Sequence, residues 1–318
     1  MTEQKSKFNF FSFYERYGLF IILAVMLFCF GIINPNFLSK NNLLNILRQI
    51  SIYGIMASGM TVVLLCGEID LTPGALVAFS GVIIAMCVSN GMNMFLAAVI
   101  GVLVAGAVGA LNGFFTMQFK LPSMLVTLGF QFMIRGIGYV ITDGKPVYGL
   151  PKSFETLGGG YIVGIPIPII CLVIVAVIFI IFLKYTKYGR YYYAVGGNKE
   201  AANLCGISPK TVVISAMIIS AMCSGFSGVI WASRLASGQP TVGLTYEMQV
   251  IAAVVIGGTS LTGGEGNVAR SYIGAIILGV LYNGLNLIGV NPYWQQVATG
   301  GIIIAAITLD SLNRINRK

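Results

Sequence analysis

Apolar runs of about twenty residues recur along this chain from residue 17 to residue 309 with few interruptions, and such a run can cross a hydrocarbon core as a helix. The runs are continuous in hydropathy. An outer-membrane barrel, built from segments of about ten residues that alternate in polarity, is therefore excluded. Composition excludes a water-soluble domain as well: 57% of the residues are hydrophobic and 9% are charged, where soluble domains carry roughly 25% charged residues. The chain reads as an all-α polytopic membrane protein.

Hydropathy predicts spans at 17–34, 43–65, 72–90, 92–115, 121–141, 165–183, 209–232, 248–260, 269–290 and 292–309, about ten transmembrane helices in one domain covering 1–318. The eighth is too short to cross unless it is broken or extended. Basic residues orient the set. With the N-terminus inside, cytoplasmic segments hold Lys5, Lys7, Arg16, Lys120, Lys184, Lys187, Arg190, Lys199, Lys210, Arg270, Arg314, Arg317 and Lys318. Lys40, Arg48, Arg135, Lys145, Lys152 and Arg234 fall outside or in the membrane. This bias predicts a multi-pass membrane protein with both termini cytoplasmic: an N-terminal segment 1–16, a loop 184–208 and a tail 310–318. It also accounts for the net charge of +9 with no nucleic-acid partner. No small-residue cleavage site follows the first run, so that run is expected to remain as an anchor.

The chain has no histidine, so His-based triads and His-containing zinc sites are excluded. Its six cysteines, Cys29, Cys66, Cys87, Cys171, Cys205 and Cys223, lack paired or metal-type spacing and read as small buried hydrophobes. No G-x-x-x-x-G-K-[ST] loop is present. The expectation is a transport subunit rather than an enzyme, without cofactor or metal; if it moves solute with ATP, a separate chain hydrolyses it.

Two glycine-bounded breaks interrupt the spans: Cys66-Gly67-Glu68-Ile69-Asp70-Leu71-Thr72-Pro73-Gly74, and Gly257-Gly258-Thr259-Ser260-Leu261-Thr262-Gly263-Gly264-Glu265-Gly266. Irregular backbone at membrane depth is tolerated only against protein or water, so both read as broken or re-entrant segments near a membrane face. They match each other at an offset of 190, Leu71-Thr72-Pro73-Gly74 against Leu261-Thr262-Gly263-Gly264. Asn112-Gly113 with Pro122 echoes Asn283-Gly284 with Pro292 at offsets of 171 and 170. Two related halves around a central path would explain both matches; chance similarity of glycine-rich text is the alternative. Most of the forty glycines are expected to serve close helix packing and a minority to mark bends.

Polar groups inside spans are costly unless they face protein or water. Asn112, Arg135, Asn283, Asn286 and Gln296 lie in or beside spans, and Asp70, Thr72, Thr259 and Ser260 lie in the breaks. Each has two readings, an interhelical hydrogen bond or a place along a solute path. Together they suit a neutral polyhydroxylated solute, which needs amide donors and acceptors and little net charge. Glu68, Asp70 and Glu247 come closest to buried acids, and all sit at span ends, which argues against ion coupling. On the outer side, 142–161 and 234–247 are turn-rich loops of mixed charge. They are either ordinary solvated loops or a dock for an extracytoplasmic partner, with Lys145, Lys152, Glu155, Arg234, Gln239 and Glu247 available to it. Between the sixth and seventh spans, Gly189 to Ile207 is helix-forming, charged and flanked by glycines, a surface suited to another protein.

Five segments, Asn41 to Ser51, Gly67 to Gly74, Gly189 to Ile207, Arg234 to Glu247 and Ile251 to Leu261, resemble the permease subunit of bacterial ribose-type ABC sugar importers in the same order, and the similarity runs from about residue 33 to about residue 310. The resemblance implies the importer-permease fold, a place in a bacterial inner membrane, a homodimer within lipid, a cytoplasmic sugar ATPase and an extracytoplasmic sugar-binding protein. It implies that the Gly-Arg to Gly-Ile segment contacts the ATPase through Arg190, Gly196, Gly197, Asn198, Glu200, Ala201 and Gly206. The chain departs from the family pattern at three places. Relatives usually read Gly-Gly-Ile-Asp-Leu-Ser-Val-Gly where it has Gly67 to Gly74 with Glu68; Gln249 replaces an Asp after Glu247-Met248; and Glu265 replaces a basic residue. The sugar stays open among ribose, xylose, allose, galactosides and autoinducer-2, with amino-acid or nucleoside permeases and an ion-coupled carrier as alternatives.

Overall fold

A computed structural model describes residues 10–315 of the chain. Every apolar run predicted from hydropathy is a helix. In order these are α1 (Phe10–Ile33), α2 (Lys40–Leu65), α3 (Pro73–Ser89), α4 (Met94–Gln118) and α5 (Ser123–Thr142). Two elements that hydropathy does not signal follow, a short helix α6 (Lys152–Gly159) and a small antiparallel hairpin of β1 (Tyr161–Ile162) and β2 (Ile165–Pro166). Then come α7 (Ile167–Tyr185), α8 (Lys187–Gly197), α9 (Lys199–Leu204), α10 (Pro209–Leu235), α11 (Tyr246–Ile256), α12 (Val268–Leu287) and α13 (Pro292–Ile315). Six of them, α2, α4, α5, α7, α10 and α12, are long and apolar enough to cross a membrane; α3 and α11 are apolar but shorter. Helix α1 starts at Phe10 instead of residue 17, because the aromatic turn before the apolar run continues the helix. Residues 1–9 and 316–318, parts of the predicted terminal segments, lie outside the described residues.

Local chemistry sets the helix starts. Ser39, Asn93, Thr186, Asn198, Ser208 and Asn267 each accept a hydrogen bond from an otherwise orphaned first-turn N–H. Pro73, Pro209 and Pro292 occupy first helical positions, where the missing N–H costs nothing.

Helix directions follow from the packing. Gly59 on α2 lies so close to α10 that a Cβ there would sit 2.6 Å from the Ser220 Cα, and the Ser227 hydroxyl donates to the Ile52 carbonyl at 3.2 Å, so α2 and α10 are antiparallel. Helix α3 runs parallel to α10, with Gly81 near Ala232 and Gly228 against Val77. Helix α12 is antiparallel to α2, joined by Asn283 to Asn42 and by Ser271 to Thr61. Helix α11 is antiparallel to α12, with Gly274 against Ala253 and Gly257 against Arg270.

The series α2, break, α3, α4, α5 thus recurs as α10, break, α11, α12, α13 about 170 residues later with the opposite direction. The Asn112 and Asn283 echo, with Pro122 and Pro292, fits this pairing. The offset-190 match does not: Leu71 to Gly74 lead into and begin α3, whereas Leu261 to Gly264 follow α11. The second break in the repeat is the 236–245 loop after α10, where Ala236, Gly243 and Thr245 all take positive φ. The core lies where α2, α3, α10 and α11 meet, around Ile55, Met56, Met60, Leu64 and Val254. Helix α7, by contrast, leaves Val173, Ile174, Val177, Ile178 and Ile181 exposed, a surface that suits lipid.

Candidate functional site

At one end of the bundle the α8–α9 segment and the breaks 66–72 and 257–267 converge on glycine. Gly67 has a φ of +72°, and a Cβ on it would lie 2.9 Å from the Thr262 carbonyl oxygen. On Gly263 a Cβ would be 2.6 Å from the Gly67 nitrogen and 3.0 Å from the Gly196 Cα. Gly196 lies against the Leu65 carbonyl, which also accepts the Gly264 N–H at 2.9 Å, and Gly197 backs onto Gly264. Only backbone without side chains fits such a junction. Two tethers reinforce it. The Tyr193 hydroxyl donates to the Gly266 carbonyl at 3.1 Å, burial raising that phenol above its ordinary value. Lys199 at the start of α9 pairs with Glu68 at 2.5 Å, with side-chain exposures of 46% and 8%.

Of the residues expected to contact an ATPase, Gly196 is half-buried in this junction; Arg190, Gly197, Asn198, Glu200, Ala201 and Gly206 are exposed around it. Asn198 caps α9 by accepting the Ala201 N–H at 2.9 Å. Leu204 closes the segment with 88% of its surface exposed.

From Glu68 the chain turns back into the bundle as irregular backbone. The Ile69 N–H donates to the Ser123 hydroxyl at 3.0 Å and its carbonyl accepts from Thr127 at 3.3 Å, which ties the break to α5. Asp70 has no exposed surface. One of its oxygens accepts from the Thr72 N–H at 2.9 Å and the Thr72 hydroxyl at 2.6 Å; the other accepts from Ser220 of α10 at 2.8 Å. The Asn112 amide of α4 donates to the Thr72 hydroxyl at 3.3 Å, and its own oxygen is buried with no partner. Asp70, expected at a membrane face, is thus held against the middle of α10, because the break folds inward before α3 begins.

A second polar group fixes the 236–245 break. Arg135 on α5 donates to the carbonyls of Pro240, Val242 and Gly243 at 3.2, 2.6 and 3.2 Å. Glu247 in the first turn of α11 is 5% exposed; one oxygen accepts from Gln131 at 3.0 Å and the other is buried without a partner. Expected on the outer docking face, Glu247 points inward, since α11 starts inside the bundle beside Gly74. Thr259 and Ser260 are buried in the 257–267 break, Ser260 sharing a 3.1 Å hydroxyl contact with Thr262. Asn283 forms a reciprocal amide pair with Asn42 at 2.9 and 3.0 Å. Asn286 and Gln296 are exposed near the start of α13.

At the opposite end the two loops named for docking meet. Val147 and Gly238 exchange backbone hydrogen bonds at 2.8 and 2.9 Å, and the Ser233 hydroxyl accepts from the Gly158 N–H at 2.7 Å and donates to the Phe154 carbonyl, pinning α6 to α10. Lys145 pairs with Asp143 two positions away, Lys152 and Glu155 are exposed on α6, Gln239 donates to Ser237, and the Arg234 guanidinium lies 5.2 Å over the Trp231 ring. Of the cysteines, Cys66 and Cys223 are buried, Cys87 and Cys171 half-buried, and Cys29 and Cys205 exposed.

Ser220, Gln131, Ser123, Asn42 and Lys199 escape a reading of the sequence, since each gains its role from a partner at least 54 residues away. A weak signal exists for one of them: Ser220, Ser224 and Ser227 recur at helical spacing on α10.

The profile of the family described as "Branched-chain amino acid transport system / permease component" matches residues 42–307. The chain is 40% identical to the D-allose transport system permease protein of Escherichia coli (strain K12), over 98% of this chain and 96% of that protein. It is 40% identical to a ribose import permease protein of Bacillus subtilis (strain 168), over 97% and 96%. It is 35% identical to the L-arabinose transport system permease protein of E. coli (strain K12), over 96% and 93%. No solved structure matches the chain.

Proposed function

The chain belongs to the family of transport-system permease components, and from that premise we propose that it is the membrane-spanning subunit of an ABC importer carrying a monosaccharide, ribose or a related pentose or hexose, into the cytoplasm. The observation that carries this reading is similarity along nearly the whole chain to permease proteins named for ribose, allose and arabinose import. A separate ATPase supplies the energy, an extracytoplasmic binding protein delivers the sugar, and a second copy of the chain completes the path within the lipid.

We count ten crossings, each break joining its short helix to make one: α1, α2, 66–72 with α3, α4, α5, α7, α10, 236–245 with α11, α12 and α13. All of residues 1–318 act as one domain. Both termini are cytoplasmic, which puts Lys120, Lys187, Arg190, Lys199, Lys210 and Arg270 at the inner end. The ATPase contacts the exposed parts of α8–α9, including Arg190, Asn198, Glu200 and Leu204. The binding protein docks on Lys145, Lys152, Glu155, Arg234 and Gln239. Asp70, Thr72, Asn112, Arg135, Thr259 and Ser260 hold the movable breaks behind the path, Asn283 steadies α12, and Asn286 and Gln296 are open to solute.

Uptake of radiolabelled D-ribose, D-allose and L-arabinose into proteoliposomes tests the assignment. With ATPase and binding protein present, ATP should drive accumulation of one of them; the chain alone should accumulate none. Burial of Asp70 and Glu247 favours an ion-coupled carrier as the second reading, and accumulation by the chain alone under an ion gradient would establish it.

A further inference from the structure

We propose that Glu68 and Lys199 are a positioning pair for the transport stroke, carrying displacement of the α8–α9 segment into the 66–72 break. The proposal rests on the reading of the chain as an ATPase-driven permease and adds two residues to it.

The Lys145–Asp143 and Lys199–Glu68 ion pairs differ in what they join. Lys145 and Asp143 are two positions apart, and both are largely exposed, so their pairing orders nothing beyond their own turn. Lys199 and Glu68 are 131 positions apart and join the α8–α9 segment to the 66–72 break by charge, beside a buried cluster that holds Cys66 together with Tyr192, Val195 and Ala202. The Glu68 side chain is 8% exposed. A carboxylate so buried is strongly disfavoured once its cation leaves, so separation of the two segments is opposed and they move as one.

Lys199 does not serve its own helix. At the first position of α9 a cation opposes the helix dipole, and Glu200 beside it is the residue such a position favours. Its placement is explained by the partner across the junction.

Beyond Glu68 the connection is short. Ile69 is bonded to Ser123 and Thr127 of α5, and Asp70 is bonded to Ser220 of α10. A pull on Lys199 therefore reaches two long helices through three consecutive residues. The connection from Lys199 to α5 and α10 is contiguous, and the coupling it would carry is what the test below measures.

The test uses the complete importer in proteoliposomes, with whichever of D-ribose, D-allose or L-arabinose the parent chain accumulates best. The readout is sugar moved per ATP hydrolysed. Glu68→Lys and Lys199→Glu are each expected to lower this ratio at least tenfold, and the double swap to return it to within threefold of the parent. Glu68→Gln removes the charge without leaving a buried ion, so it tests the tie even where a reversal prevents folding; it is expected to insert normally and lower the ratio at least threefold. A parental ratio in Glu68→Gln, or a double swap no better than the worse single change, overturns the proposal. A parent chain that accumulates no sugar with ATP would instead reject the permease assignment itself.

Discussion

Asp70→Ala and Asp70→Asn should separate an anchor from a charge. In the structure Asp70 has no exposed surface and accepts three hydrogen bonds, two from Thr72 and one from Ser220. Alanine leaves three buried donors. The Ser220 hydroxyl can turn back to the carbonyl four residues earlier, as helical serines do, but the Thr72 N–H and hydroxyl lose their acceptor. At about 1–3 kcal/mol for each stranded donor, the loss is about 2–6 kcal/mol. Asparagine keeps an oxygen for Thr72 and offers its NH₂ to the Ser220 oxygen, so about 1 kcal/mol is expected for the isostere. A chain of this length loses roughly 2 °C of melting temperature per kcal/mol. Thermal unfolding of the detergent-purified protein should therefore show Asp70→Ala about 4–12 °C below the parent, and Asp70→Asn within about 2 °C of it. Equal melting of the two variants would refute the hydrogen-bond account. If Asp70→Asn melts normally yet transports nothing, the carboxylate itself takes part in transport, and the ion-coupled reading gains.

Gly196→Val should abolish uptake at normal membrane abundance, because its side chain would collide with the Leu65 carbonyl and the Gly264 nitrogen. Uptake against immunoblotted abundance checks this. Asn42→Leu and Asn283→Leu should each destabilise by about 1–3 kcal/mol, and the double variant by less than their sum, as a double-mutant cycle on melting would reveal. Arg135→Lys cannot span the three carbonyls that Arg135 now holds, so hydrogen exchange at 240–246 should speed up while the rest of the molecule is unchanged.

Much of the fold was legible because the bilayer leaves little choice. An apolar run of membrane length has to be helical, and Ser39, Asn93, Ser208 and Pro209 announce where helices begin. The break at Gly67 was legible from its glycine, acids and proline, but its direction was not: nothing local to Asp70 tells that Ser220 awaits it. The 236–245 break was hidden because Ala236 and Thr245 take left-handed conformations that tertiary contacts impose, as Arg135 does on the segment between them. Glu247 looked like a surface acid for the same reason, since its burial depends on where α11 begins. Helix α6 was masked by a turn-rich sequence and is fixed by Ser233 from outside itself.

The inverted arrangement bears on how one end of the molecule can move the other. Each break supplies irregular backbone between a long helix and a short one, so α3 and α11 can tilt without breaking a continuous ladder of hydrogen bonds. At the α8–α9 end the contacts among Gly67, Gly196, Gly263 and Gly264 are backbone to backbone. Side chains absorb small displacements by changing rotamer, whereas touching backbones do not, so a shift of α8–α9 has to move Leu65 and Gly264 with it. The two halves then receive one input together: the 257–267 break leads into α12, and the 66–72 break leads through Asp70 into α3. A partner that pushes on the exposed side of α8–α9 would therefore act on both halves of the bundle through a single contact, which is why Gly196→Val, remote from the polar residues of the bundle centre, is expected to stop transport completely.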